Sequence, residues 1–129
     1  MKVLIADDDR VLVAMLSGRL QPKGVNVLVA YDAMQAWMAS VKSDPDAIVL
    51  DVQMPGGTGM EVLRKLKSSA KTNHIPVIVL SGSIDAKAVE TVRQLGADEY
   101  LPKPPDFEQL WKVLCRLLSV PPQPLTGFP

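Results

Sequence analysis

Four short apolar runs punctuate the chain, Lys2 to Ala6, Val25 to Ala30, about Ala47 to Asp51 and Pro76 to Ser81, and Asp98 to Leu101 reads as a short fifth strand. Runs of this length, rich in Val, Ile and Leu, predict strands covered on both faces. Longer segments of helical spacing alternate with them. Asp9 can cap a helix that starts near Arg10 and carries Val11, Leu12, Met15, Leu16 and Leu20 as its inward stripe, with Pro22 and Gly24 stopping it. Ala33 to Lys42 predicts a second helix with Met34, Trp37 and Val41 on one side. Gly59 to Lys67 predicts a third, facing inward through Met60, Leu63 and Leu66. Asp85 to Leu95 predicts a fourth, closed by Gly96. Asp106 to about Leu118 predicts a fifth, with Leu110, Leu114 and Leu117 inward. Strands alternating with helices make an α/β domain with a parallel sheet and helices on both faces.

Right-handed crossovers put the carboxyl ends of all the strands on one rim. Asp7 and Asp8 leave the first strand there, Asp51 the third and Ser81 the fourth, and Lys103 follows the fifth. A strand order of 2-1-3-4-5 would set the first and third strands side by side and gather Asp7, Asp8 and Asp51. Pattern alone leaves other doubly wound orders open. The most informative stretch is Ile48-Val49-Leu50-Asp51-Val52-Gln53-Met54-Pro55-Gly56-Gly57-Thr58-Gly59, an apolar run that ends in a carboxylate and a Pro/Gly-rich turn.

Composition narrows the class. The 129 residues suit one domain, and 47% of them are hydrophobic, enough for a real core. Fourteen basic residues balance fourteen acidic ones, so no basic excess points to nucleic-acid binding by this domain. A lone cysteine, Cys115, excludes an internal disulfide and fits a reducing cytoplasm. The N-terminal apolar run is too short for a signal peptide, and no stretch approaches the roughly 20 apolar residues of a membrane span. The expected domain is residues 1–119. Residues 120–129 hold four prolines and read as a Pro-rich tail or the start of a linker.

Carboxylates gathered on one rim repel, by roughly 4 kcal/mol per pair at about 4 Å and an effective dielectric near 20. A divalent cation offsets that directly, and all-oxygen ligation suits Mg²⁺, with Mn²⁺ as a substitute. Lys103 adds a compensating ammonium. A carboxylate beside a metal can attack phosphorus and form an aspartyl phosphate, with the lysine and the Ser81 hydroxyl set against the phosphoryl oxygens.

With these residues in place, the chain resembles a receiver domain of the two-component response regulators. The resemblance covers about residues 2 to 118. It rests on Val3-Leu4-Ile5-Ala6-Asp7-Asp8-Asp9, on Leu50-Asp51-Val52-Gln53-Met54-Pro55 with Gly59, on Val79-Leu80-Ser81-Gly82, and on Gly96-Ala97-Asp98-Glu99-Tyr100-Leu101-Pro102-Lys103-Pro104. It implies a flavodoxin-like fold of order 2-1-3-4-5, and phosphoryl transfer to Asp51 from a histidine kinase or a phosphotransfer protein. It implies that Asp8 and Asp51 bind Mg²⁺ through their side chains and Gln53 through its backbone carbonyl, with Asp7 acting mainly through water. Ser81 would be the switch hydroxyl, Tyr100 the switch aromatic, and Lys103 the phosphoryl contact, followed by a cis bond to Pro104. Such a domain catalyses its own phosphorylation and dephosphorylation and is otherwise no enzyme. Its fourth helix, fifth strand and last helix would form a partner face that changes on phosphorylation, for an output domain, a partner protein or a homodimer. Trp111 falls off the leucine stripe of the last helix, which leaves two readings open: partly exposed on that face with Tyr100 and Val113 nearby, or only packed against the fourth helix or a linker. Pro105 stands where Phe commonly follows Lys-Pro, and Gly82 where Ala is common; neither change removes a catalytic group.

Other functions fit less well. An aspartate-nucleophile phosphatase wants a second acid two residues after the nucleophile, and Gln53 stands there. A flavin-binding domain wants a phosphate-cradling loop after the first strand, where this chain has three acids. A receiver that only binds partners would not need Asp7, Asp8, Asp51, Ser81 and Lys103 together. His74, in a loop, is expected to have no catalytic part, and Cys115 to serve packing.

Overall fold

Two strands, β3 (Ala47–Asp51) and β4 (Val77–Ser81), are buried at every position. Unbroken apolar runs demand that burial, and only the middle of a sheet covered on both faces supplies it. The computed structural model describes residues 1–53, 59–82 and 86–119. Beside these strands lie β1 (Lys2–Ala6), β2 (Asn26–Ala30) and β5 (Glu99–Pro102). All pairs are parallel and the order is β2-β1-β3-β4-β5, which settles the order that pattern alone left open.

The helices are α1 (Arg10–Leu20), α2 (Ala33–Ser43), α3 (Gly59–Ser68), α4 (Ala86–Gln94) and α5 (Phe107–Leu117), with one 3₁₀ turn at Gln21–Lys23. Alternate strand residues point to opposite faces and divide the core into two layers. Val3, Ile5, Val49, Ile78 and Leu80 meet α1 and α5, while Leu4, Ala6, Ile48, Leu50 and Val79 meet α2, α3 and α4. Among the described residues, no helix is long and apolar enough to cross a membrane.

Local chemistry sets the helix starts. Asp9 accepts from the N–H groups of Val11 and Leu12, both at 3.1 Å. Asp32 accepts from Gln35 N at 2.8 Å, and Asp106 from Glu108 N at 3.0 Å. Each cap satisfies donors that the first helical turn leaves free. Gly96, at φ +104, lets the chain turn from α4 toward β5. Strand boundaries move slightly from expectation. The β1–β2 ladder begins at Lys2 and Asn26, so Val25 lies outside it. Asp98 precedes β5 because its carboxylate is bound to Val77 N, at 2.8 Å, and to Lys67. The expected start of α4 at Asp85, the residues of the Pro/Gly turn from Met54 to Thr58, Ser83, and the segment from Val120 onward lie outside the described residues.

Three helix faces differ from the expected ones. Val11 is 81% exposed and Met15 also faces out, while Val13 takes a core position in α1. In α2 the buried residues are Ala33, Ala36 and Ser40, and Met34 is exposed. Trp111 is only 6% exposed. It belongs to the α1 layer, with Lys23 Nζ 5.0 Å from its ring centroid, and so has no part in a surface beside Tyr100. Val113 is buried as well. The cause is the breadth of the apolar face of α5, which takes in Phe107, Trp111, Val113 and Cys115 besides Leu110 and Leu114. The expected packing role of Cys115 matches its burial.

Candidate functional site

Each acid of the site sits where a strand stops. The register pairs Ala6 with Leu50, so the ends of β1 and β3 are neighbours. Asp7 and Asp51 follow from that register as a facing pair, both buried. Backbone bonds hold each in place. Asp7 N donates to Ala30 O at 3.0 Å, and Asp7 Oδ1 accepts from Asp9 N at 2.9 Å. Asp51 Oδ1 accepts from Gln53 N at 3.0 Å. Asp8 is exposed at the rim, and one carboxylate oxygen from each of Asp7, Asp8 and Asp51 lies within 4.8 Å of the others.

Lys103 arrives from the far side. Its N–H donates to Ser81 O at 2.9 Å, which fixes the chain after β5 against the end of β4. Its bond to Pro104 is cis. The side chain, 21% exposed, then reaches across the rim, with Nζ 2.9 Å from Asp7 Oδ2 and 3.4 Å from Asp51 Oδ2. Ser81 is buried at the end of β4. The structure thus brings Asp7, Asp8, Asp51 and Lys103 into one cluster, ties Ser81 to it through the Lys103 backbone, and places Gln53 against Asp51 through a backbone N–H.

The charges of the cluster perturb one another. Burial pushes the Asp51 carboxyl above its ordinary value; the Gln53 N–H pulls it back, the Asp7 charge raises it again, and Lys103 lowers it, leaving the net shift upward. Burial alone would lower the Lys103 ammonium, but bonding to Asp7 and the charges of both buried carboxylates outweigh it and the net shift is upward. One ammonium therefore serves two buried carboxylates and leaves a deficit of positive charge. Asp7 Oδ2 reflects that deficit, since it is buried and its ion pair with Lys103 Nζ, at 2.9 Å, is shared with Asp51. An all-oxygen donor set with an under-satisfied carboxylate oxygen fits a hard divalent cation such as Mg²⁺ or Mn²⁺.

Tyr100 stands apart from these charges. It is half-buried, packs against the layer under α2, α3 and α4, and lines a cleft of about 200 Å³ with Val89, Val92, Arg93 and Glu99. One feature escaped sequence reasoning. Gly59 is buried against the turn after Asp51, and its N–H donates to Val52 O at 3.0 Å. A Cβ there would lie 2.9 Å from the Asp51 carbonyl carbon and closer still to Asp51 O and Val52 Cα. A glycine opening a helix after a Pro/Gly-rich turn was the available signal.

Comparison with known proteins agrees with this geometry. The family model of the response regulator receiver domain matches residues 3–114. The transcriptional regulatory protein CpxR of Klebsiella pneumoniae is 42% identical over 107 residues, covering 80% of this chain and 43% of that protein. The response regulator MprA of Mycobacterium avium is 37% identical over 118 residues, covering 92% and 51%. The chain thus spans about half the length of the curated relatives it matches. Among solved structures, the Francisella response regulator 1452 receiver domain superposes with a TM-score of 0.84 at 30% identity, covering 92% of this chain and 96% of that one. The chemotaxis response regulator CheY4 of Vibrio cholerae gives 0.84 at 32% identity, covering 91% and 98%.

Proposed function

The chain belongs to the response regulator receiver domain family of two-component signalling, and from that membership we propose that it is a phosphoacceptor switch whose acceptor is Asp51. The observation that carries the proposal is the seat of Asp51. It is a buried carboxylate at a strand end, with Lys103 Nζ 3.4 Å away and the carboxylates of Asp7 and Asp8 beside it. The donor is a phosphohistidine on a histidine kinase or phosphotransfer protein.

A free Asp51 oxygen attacks the phosphorus. The new O–P bond forms as the N–P bond to the donor imidazole breaks, and the leaving nitrogen keeps the bonding pair. Gln53 N–H holds Asp51 Oδ1 and orients the carboxylate. Lys103 sets its ammonium against the negative oxygens of the transferring group, and its raised affinity for the proton keeps it charged at neutral pH. The Ser81 hydroxyl accompanies the transferred group as a hydrogen-bond partner. Asp7, Asp8, Asp51 and the Gln53 carbonyl are the residues that would hold Mg²⁺. When bound, the ion neutralises charge on the carboxylates and the phosphoryl oxygens. Water later cleaves the acyl phosphate at the same site, so the domain resets itself.

The response is a two-state change in which Ser81 moves toward the phosphoryl group and Tyr100 turns inward behind it. The cleft between α4 and β5 then changes shape, and with α5 it forms the output surface for a partner, an output domain or a second copy. Trp111 and Val113, buried on the other side of α5, are not part of that surface. Residues 1–119 form the receiver. The test is intact mass after incubation with acetyl phosphate and Mg²⁺. One phosphoryl adduct is expected on the wild type and none on Asp51→Asn. Equal labelling of the two proteins would refute Asp51 as the acceptor.

A further inference from the structure

Outside the phosphoryl chemistry and the Tyr100 cleft, the outer surface of α2 and α3 carries a feature with no assigned use. Met34 is 67% exposed and Met38, one turn later, 42%. Trp37 and Val41 are half-buried and continue the same stripe at spacings of three and four. The opposite side of α2 is also apolar and already buried in the core. A helix seated on one apolar face and showing a second to solvent has a surface to cover.

Charge decides what covers it. Lys42 is the only charged residue of α2. Across the seam, Lys65 Nζ of α3 lies 4.6 Å from the Trp37 ring centroid, and Arg64 is exposed beside it. Lys67 turns away to Asp98 and to the Ile75 carbonyl. Against Lys42, Arg64 and Lys65 the two helices expose one acid, Glu61. The acids at the two ends of α2 are engaged elsewhere, Asp32 with Gln35 N and Asp44 with His74 Nε2 at 3.4 Å, so along the seam between the helices the apolar ribbon is edged by a positive excess.

We propose that the α2–α3 surface docks an acidic amphipathic helix of a partner protein. The apolar residues of that helix lie over Met34, Trp37 and Met38, and its carboxylates face Lys42, Arg64 and Lys65. A stripe at helical spacing matches a helix laid along it. Methionine suits such a contact because its unbranched side chain repacks readily. A second copy of this chain would bring the same positive excess against itself. An anionic membrane is disfavoured because polybasic attachment draws on clusters of about four to eight Lys or Arg. The surface shares no residue with the phosphoryl site, so its occupancy is a separate property from acceptor function.

The test is selection from a display library of short helices with a fixed apolar stripe and randomised charged positions, using the full chain as bait. Enrichment of Asp and Glu is expected. Affinity of the selected helices should fall at least about tenfold for Met34→Ser with Met38→Ser, and again for Lys42→Glu with Lys65→Glu. All four side chains are on the surface, and acetyl phosphate labelling of Asp51 should stay unchanged, which separates failure here from failure of the acceptor assignment. No selected helix, enrichment of basic residues, or binding that survives both pairs of changes would overturn the proposal. Self-association in sedimentation, or flotation with anionic phospholipid vesicles, would equally overturn it if abolished by the same substitutions.

Discussion

Replacing Lys103 with Met keeps the unbranched stem and deletes the one ammonium between two buried carboxylates. At an effective dielectric near 20, a unit charge 2.9 Å from Asp7 Oδ2 is worth about 6 kcal/mol, and one 3.4 Å from Asp51 Oδ2 about 5 kcal/mol, before desolvation is counted. Burying the ammonium offsets much of that, so the expected net loss is about 3–5 kcal/mol, the range for removing one partner of a buried pair. The informative quantity is the coupling to Asp51. In Asp51→Asn the repulsion with Asp7 is gone, so Lys103→Met should cost about 1–3 kcal/mol less there than in the wild type. Urea denaturation of the four proteins of the cycle, in chelator, gives the number. Equal costs in the two backgrounds, within about 0.5 kcal/mol, would refute the shared-ammonium account. The pH dependence has a fixed sign. The folded Asp51 carboxyl is raised above its ordinary 3.8, so its contribution to stability is fully present below that value and is lost as pH rises through the folded one. Removing Lys103 raises it further. The deficit of the variant should therefore be full at neutral pH and shrink on acidification toward 3.8. Lys103 is itself raised above 10.5, so its stabilisation is complete below that pH and fades as pH rises through its folded value, where wild type and variant converge.

Two further outcomes follow from the packing. Gly59→Ala forces a methyl group onto the Asp51 and Val52 backbone, which should cost about 1–3 kcal/mol and slow acetyl phosphate labelling; unchanged stability together with an unchanged rate would contradict the contact. Cys115 is buried and its thiol is pushed up by burial, so alkylation of the folded protein at pH 8 should lag that in urea by at least on the order of a hundredfold; matching rates would refute the burial.

The sheet was legible because its signals are local and redundant. Unbroken Val/Ile/Leu runs leave little choice of element, and parallel connection forces Asp7, Asp51, Ser81 and Lys103 onto one rim wherever each strand begins. The seating of Asp7 and Asp51 as facing neighbours also needed the strand order, which no single strand encodes. Helix faces were harder. In Arg10–Leu20, Val11, Leu12, Val13, Met15 and Leu16 admit more than one apolar stripe, and the helix settles on Leu12, Val13, Leu16 and Leu20. Trp111 stayed undecided between exposure and packing for the same reason, since a three-leucine stripe understated a face that also buries Phe107, Trp111 and Val113. The division of one ammonium between two carboxylates, and the close approach at Gly59, depend on atomic distances that spacing does not carry.

The rim joins groups from the first strand of the chain to the residue just after the last. During synthesis, Asp7 and Asp51 leave the ribosome well before Lys103, and β5 cannot pair with β4 until its own residues have emerged. A partly made chain consequently holds its acids without the ammonium that pairs with them. Translation itself thus withholds the complete rim, and with it the acceptor role proposed for Asp51, until β5 and Lys103 have emerged.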